Sequence, residues 1–155
     1  MRTRFAVLAF AILAISLGLT AADDPLIGTW KLNLAKSHSS SGAQGRGETV
    51  KIEAYGDDGI KWTAHGPDEH GKMTVSVYQG KFDGTEFTQS THIGETSSMR
   101  RVDQYTTIRT NMVAGKVTTI QRRVVSQDGK TLTIMTLGTD KDGRAINNLV
   151  VFDRQ

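Results

Sequence analysis

Beyond residue 23 the apolar positions of this chain alternate with polar ones in short Thr- and Val-rich segments. Nowhere do they recur at three- and four-residue spacing over three turns, so the pattern predicts strands rather than helices. The predicted strands are Ile27 to Leu34, Glu48 to Tyr55, Ile60 to Ala64, Met73 to Gln79, Glu86 to Ser90, Ser98 to Asp103, Tyr105 to Met112, Lys116 to Ser126, Thr131 to Leu137 and Ala145 to Asp153. Between them stand glycine-bearing turns: Gly56-Asp57-Asp58-Gly59, His70-Gly71-Lys72, Asp83-Gly84, Ala114-Gly115, Asp128-Gly129 and Asp142-Gly143. Asp-Gly is a strong hairpin signal, because glycine takes positive φ at little cost. Consecutive hairpins with no segment long enough for a crossover helix specify an antiparallel meander. An open meander of eight to ten strands would expose two edges, which closure removes. The expected architecture is therefore all-β, a single up-and-down antiparallel barrel.

The N-terminal 22 residues break this pattern. Arg2 and Arg4 precede an apolar run from Phe5 to Leu19, and Thr20 and Ala22 then present small residues before Asp23. This is the three-part layout of a secretory signal peptide, with a run too short to span a bilayer. The division expected is a leader over residues 1–22 and one domain over 23–155, secreted or periplasmic and without a membrane anchor once the leader is cut.

Composition narrows the chemistry. The 155 residues contain no cysteine, which removes disulfides, thiolate metal sites and thiol nucleophiles. Lys and Arg number 19 against 16 Asp and Glu, and losing Arg2 and Arg4 leaves the two signs nearly balanced. The doublets Arg100-Arg101 and Arg122-Arg123 would split between two faces of a strand. Nothing then supplies the clustered basic face on which nucleic-acid binding depends.

Gly28-Thr29-Trp30-Lys31-Leu32 on the first strand resembles the N-terminal signature shared by lipocalins and fatty-acid-binding proteins, the calycin group. The stretch Gly115 to Arg123 is similar to the penultimate hairpins of fatty-acid-binding proteins. The domain as a whole resembles small exported bacterial proteins that open GTWKLN, carry DGKTLT near the end and are described as lipocalin-like. The resemblance implies that Trp30 plugs the closed end of the barrel and that Arg154 covers its ring. It also implies a hydrophobic ligand, which fatty-acid-binding proteins grip by its carboxylate with two arginines and a tyrosine. Of that set only Arg122 has a counterpart here, since Val150 and Phe152 stand where the second arginine and the tyrosine would be. The connection from Ala35 to Gly47 is too rich in Ser and Gly for the family's two lid helices.

Strand parity gives an independent reading of the inner wall. Ile146, Asn148, Val150 and Phe152 share one face; so do Leu132, Ile134 and Thr136, and so do Thr118, Ile120, Arg122 and Val124. Ile60, Trp62 and Ala64, and then Met73, Val75 and Val77, alternate in the same way. The candidate ligand-binding residues are Trp62, Val75, Arg122, Ile134, Asn148, Val150 and Phe152. Arg122 is either an anion clamp inside the barrel, or it faces solvent or pairs with Glu53 or Glu86.

Other chemistry is thin. His65 and His70 bracket Gly66-Pro67-Asp68-Glu69, adequate donors for a metal but at no recognised spacing, so no metal or other cofactor is expected. The sequence has no Gly-x-Ser-x-Gly elbow, phosphate loop or His-Glu-x-x-His helix. A grouping of Ser90 or Ser98 with His92 and Asp103 would have to be assembled by folding, and no enzyme is expected. Two readings stay open: an extracytoplasmic binding protein for a small, mainly apolar molecule, or a side-chain-filled barrel acting through its outer wall as an envelope or stress interaction protein. Leu149 and Val151 are the outward apolar candidates for the second.

Overall fold

The computed structural model describes residues 24–40, 48–67, 70–88, 94–140 and 142–155. The expected leader, and with it the expected division at residue 22, lies outside them. Ten strands form one antiparallel sheet: β1 (Gly28–Leu32), β2 (Thr49–Ala54), β3 (Gly59–Pro67), β4 (Met73–Lys81), β5 (Phe87–Thr88), β6 (Glu95–Arg101), β7 (Thr106–Val113), β8 (Lys116–Val125), β9 (Thr131–Thr139) and β10 (Ala145–Arg154). Each predicted strand is present, with ends shifted by a few residues. The order β4-β3-β2-β1-β10-β9-β8-β7-β6-β5 pairs every neighbour in sequence except β4 with β5 and joins the first strand to the last. The result is a nearly closed barrel with one unpaired seam. Phe87 covers that seam by lying against Gly80, where an added Cβ would stand 2.5 Å from its ring.

One end is closed by apolar packing. Trp30, Val50, Ile52, Ile60, Met99, Val125, Leu132 and Phe152 are almost wholly buried and form its core. Trp30 is 0% exposed, its indole Nε1 donates to the Leu26 carbonyl at 3.1 Å, and the Arg154 guanidinium carbon lies 4.2 Å from its ring centroid. Arg154 also donates to the carbonyls of Ile27, Pro25 and Gly129, so the chain's last basic side chain ties down its N-terminal lead-in. Burying a ring of this size contributes several kcal/mol, and the cation over its face adds to that.

A single irregularity governs the inner wall. Between β7 and β8 the register steps from Asn111↔Thr119 to Met112↔Val117, leaving Thr118 unpaired in a β-bulge. The extra residue reverses side-chain parity along the rest of β8. Gly138 on β9 makes room for it: its φ is +151°, and a Cβ there would lie 2.0 Å from the Thr118 carbonyl oxygen.

After β1 a 3₁₀ turn (Leu34–Lys36) is capped by the Asn33 side chain, and the chain then runs along the edge of β10. His38 and Leu149 exchange backbone hydrogen bonds, and the Ser37 hydroxyl accepts from Val151 N. Val151 is therefore buried by its own chain rather than offered to a partner, while Leu149 stays partly exposed. Among the described residues this turn is the one helical element, and no helix is long and apolar enough to cross a membrane.

Candidate functional site

The open end leads into a cavity of about 1100 Å³. A smaller pocket of about 190 Å³ lies at the closed end beside Asp24, Asp58 and Arg101. Its charges answer one another, Arg101 standing 2.6 Å from Asp24 and 3.7 Å from Asp58. Ligand pockets run from about 300 to 1,000 Å³, so of these two the barrel cavity has the size for a small molecule.

Registered triplets across β8, β9 and β10 resolve the cavity into levels two residues, or about 6.6 Å, apart. Val125, Leu132 and Phe152 form the apolar floor. Above them come Arg123, Ile134 and Val150, then Gln121, Thr136 and Asn148, then Thr119, Gly138 and Ile146. The facing wall contributes Trp62 and Ala64 from β3 and Thr74, Ser76 and Tyr78 from β4.

Two buried arginines stand above the floor, Arg123 at the first level and Arg109, paired with Gln121, at the second. Arg123 is 2% exposed and Arg109 6%. Their guanidinium groups reach across the barrel and interleave with a stack of rings: Trp62 and Tyr78 lie parallel with centroids 5.8 Å apart, and Tyr78 and Phe87 5.3 Å apart. Arg123 sits 4.7 Å from the Trp62 centroid and Arg109 4.4 Å from that of Tyr78. The ring quadrupoles partly replace the water these cations lose. Arg123 Nη1 donates to the Tyr78 hydroxyl at 2.6 Å and Nη2 to Gln121 Oε1 at 2.9 Å. Arg109 Nη2 donates to Ser97 Oγ, Ser97 Oγ to Asn111 Oδ1 and Asn111 Nδ2 to Thr119 Oγ1, at 2.8, 2.8 and 2.7 Å. Burial pushes Arg109 down from the usual arginine range to about 10; Tyr78 and Glu95 support its charged form, and the neighbouring Arg123 opposes it. Among the described residues no carboxylate forms a salt bridge to Arg123, whose Nε also lacks a hydrogen-bond partner.

The acidic lining residues lie toward the mouth. Glu95 is at the start of β6, opposite Val113, whereas Arg109 pairs with Met99 four residues deeper. Glu48 precedes β2, and its carboxyl is held above the usual carboxylate range by burial. Asp140 and Lys116 also stand at this end.

Of the residues predicted to meet a ligand, Trp62, Ile134, Asn148, Val150 and Phe152 line the cavity. Arg122 and Val75 do not. The bulge at Thr118 turns Ile120, Arg122 and Val124 away from the cavity and brings in Thr119, Gln121, Arg123 and Val125; Ile120 is 47% exposed and Arg122 is exposed too. Neither pairing considered for Arg122 forms among the described residues, and Glu53 is bound to Lys51 instead. On β4 the register Trp62↔Tyr78 and Ala64↔Ser76 puts the even-numbered residues inside, so Met73, Val75 and Val77 face out. The sequence pattern misleads there because the wall near the mouth is hydroxyl-rich and the apolar face is the outer one. Arg109, Arg123 and Tyr78 escaped the sequence reading, although the doublet at 122 and 123 guaranteed an inward arginine on a two-faced strand.

The remaining candidates do not converge. His65 and His70 are exposed, Asp68 and Glu69 lie outside the described residues, and no metal-binding group of three occurs among those described. Asp103 accepts from Tyr105 N in a turn at the closed end; Ser98 lies on the face of β6 opposite Ser97; Ser90 and His92 lie outside the described residues.

No family model matches the chain, and comparison with curated proteins gives no match. Among solved structures, the fluorescent protein UnaG aligns over 84% of this chain and 97% of its own, with a TM-score of 0.59 at 18% identity. Two UnaG variants cover 96% of their length at the same identity, with TM-scores of 0.62 and 0.59. At that identity the likeness is one of fold alone: a nearly closed barrel of antiparallel strands, ten of them in this chain.

Proposed function

We propose that this protein is an extracytoplasmic carrier or sequesterer of a small, mainly apolar molecule that carries an anionic group, held inside the barrel with its anion at Arg123. The carrying observation is Arg123 itself, a guanidinium 2% exposed that lines a cavity of about 1100 Å³ and has no carboxylate partner among the described residues. Burying an uncompensated charge costs several kcal/mol, and a ligand oxyanion is the group that would offset it. Arg109, Arg123 and Tyr78 supply two arginines and a tyrosine from β7, β8 and β4. Trp62, Ala64, Ile134, Val150 and Phe152 give the apolar body surfaces to bury. The signal-peptide pattern of residues 1–22 and the resemblance to small exported lipocalin-like proteins support the compartment. An interior left open to this extent favours a carrier over a filled barrel.

Native mass spectrometry of protein purified from its own host, with calorimetric titration of dodecanoic acid and its methyl ester, tests the reading. A retained small-molecule adduct, and binding of the acid at least tenfold tighter than the ester, are expected. A consistently empty barrel that binds neither would overturn it.

A further inference from the structure

We propose that the cavity is polarised as a hydrogen-bond donor surface, and that its ligand inserts an oxyanion together with at least one further carbonyl oxygen about 6.6 Å nearer the mouth. This rests on the binding reading above and specifies its ligand class.

The polarity follows from groups that can only donate. Arginine has five N–H donors and no acceptor. Because Arg123 gives one hydrogen to the Tyr78 hydroxyl oxygen, that hydroxyl's own proton has to go elsewhere, and no described residue takes it. Because Arg123 gives another to Gln121 Oε1, the Gln121 amide is oriented with its oxygen toward the arginine and its NH2 free. The chain from Arg109 through Ser97 and Asn111 reaches Thr119 Oγ1 as an acceptor, which leaves the Thr119 proton over. Asn148 is oriented by the segment bonded to the edge of β10: its Oδ1 accepts from Ser40 N at 3.0 Å and from the Ser39 and Ser40 hydroxyls, so its NH2 is the half left for the cavity.

Tyr78, Gln121, Thr119 and Asn148 all line the cavity. Each enters it with a donor, and none of those donors is used by a described residue. Toward the mouth acceptors predominate, with Lys116 the one cation among the lining residues there. Thr118 spends its proton on the Asn111 carbonyl and Thr74 on the Gly66 carbonyl, and Glu48, Glu95 and Asp140 add acceptors. A simple alkanoic acid would answer the Arg123 level and leave the donors of Gln121 and Asn148, one level higher on β8 and β10, facing methylenes. Unpaired buried donors are what a binding site discriminates against most strongly. A ligand with a carbonyl at that height answers both levels.

Calorimetric titration of the whole protein with dodecanoic acid and with 6-oxododecanoic acid separates the cases, since the ketone stands one level above the carboxylate. The oxo acid should bind roughly five- to tenfold tighter. Asn148→Asp keeps an acceptor for Ser39 and Ser40 but removes the inward NH2, and Gln121→Met removes the other NH2 at that level; each should shrink that ratio, and the two together should bring it near one. Equal binding of the two acids by the native protein would overturn the donor wall and leave the anion site standing. A strong preference unchanged by both substitutions would overturn it as well, and failure to bind either acid would remove both readings.

Discussion

Replacing Arg123 with Met separates a ligand-binding arginine from a structural one. The loss comprises charge-assisted hydrogen bonds to Tyr78 and Gln121, each about 1.5–3 kcal/mol, and a cation-π contact with Trp62 of up to about 2 kcal/mol. The gain is relief from burying a guanidinium with no carboxylate, several kcal/mol in effective terms. The orphaned Tyr78 and Gln121 groups border a cavity large enough for water, so they can be re-satisfied. The two sides nearly cancel, and urea unfolding should show a change in stability within about 2 kcal/mol of zero. Ligand binding has no such cancellation. Removing one charged partner of a carboxylate should weaken dodecanoate by about 1.5–3 kcal/mol, roughly 10- to 150-fold. Arg122→Met, on the outer face of the same strand, should alter neither quantity. If Arg123→Met cost more than about 4 kcal/mol of stability while dodecanoate bound as before, the guanidinium would be a structural brace, and the placement of an anion beside it would be refuted.

Three other substitutions test the frame around the site. Gly138→Ala forces a Cβ onto the Thr118 carbonyl at a backbone angle only glycine holds easily, and should cost about 3 kcal/mol or more in chemical denaturation. Trp30→Ala empties the closed end, and a loss of about 3–5 kcal/mol is expected; a loss below 1 kcal/mol would contradict its role as the plug. Burial raises the Glu48 pKa above its usual 4.5, so the folded state prefers the protonated acid: its contribution to stability is fully present below pH 4.5 and is lost as pH rises through the folded value. Glu48→Gln should therefore raise the melting temperature at pH 7 and change it little below pH 4, measured by calorimetry across that range.

Architecture was legible in one dimension because strand alternation and Asp-Gly turns are local signals. Each hairpin, from Gly56-Asp57-Asp58-Gly59 to Asp142-Gly143, was readable without its neighbours, and the meander followed by joining them. The plug was legible through the resemblance, which set Arg154 over the ring of Trp30, and the pairing of β1 with β10 brings the two together. Val75 was misread because hydrophobicity reports burial only where an interior is dry, and the upper wall of this cavity is lined by Thr74, Ser76 and Thr136.

By itself the sequence determined that this chain would be an antiparallel meander with one arginine of the pair 122 and 123 directed inward. Only the tertiary structure decided which one. Parity along β8 is inherited from its pairing with β7, and the unpaired Thr118, accommodated by the missing side chain of Gly138 on β9, shifts that parity by one residue. A bulge is a relation between two paired strands, here the two arms of the β7–β8 hairpin, so no reading along a single strand contains it. The same holds for the aromatic stack. Trp62, Tyr78 and Phe87 meet Arg109 and Arg123 because closure brings β3, β4 and β5 opposite β7 and β8, and that encounter places a desolvated cation at the bottom of a cavity.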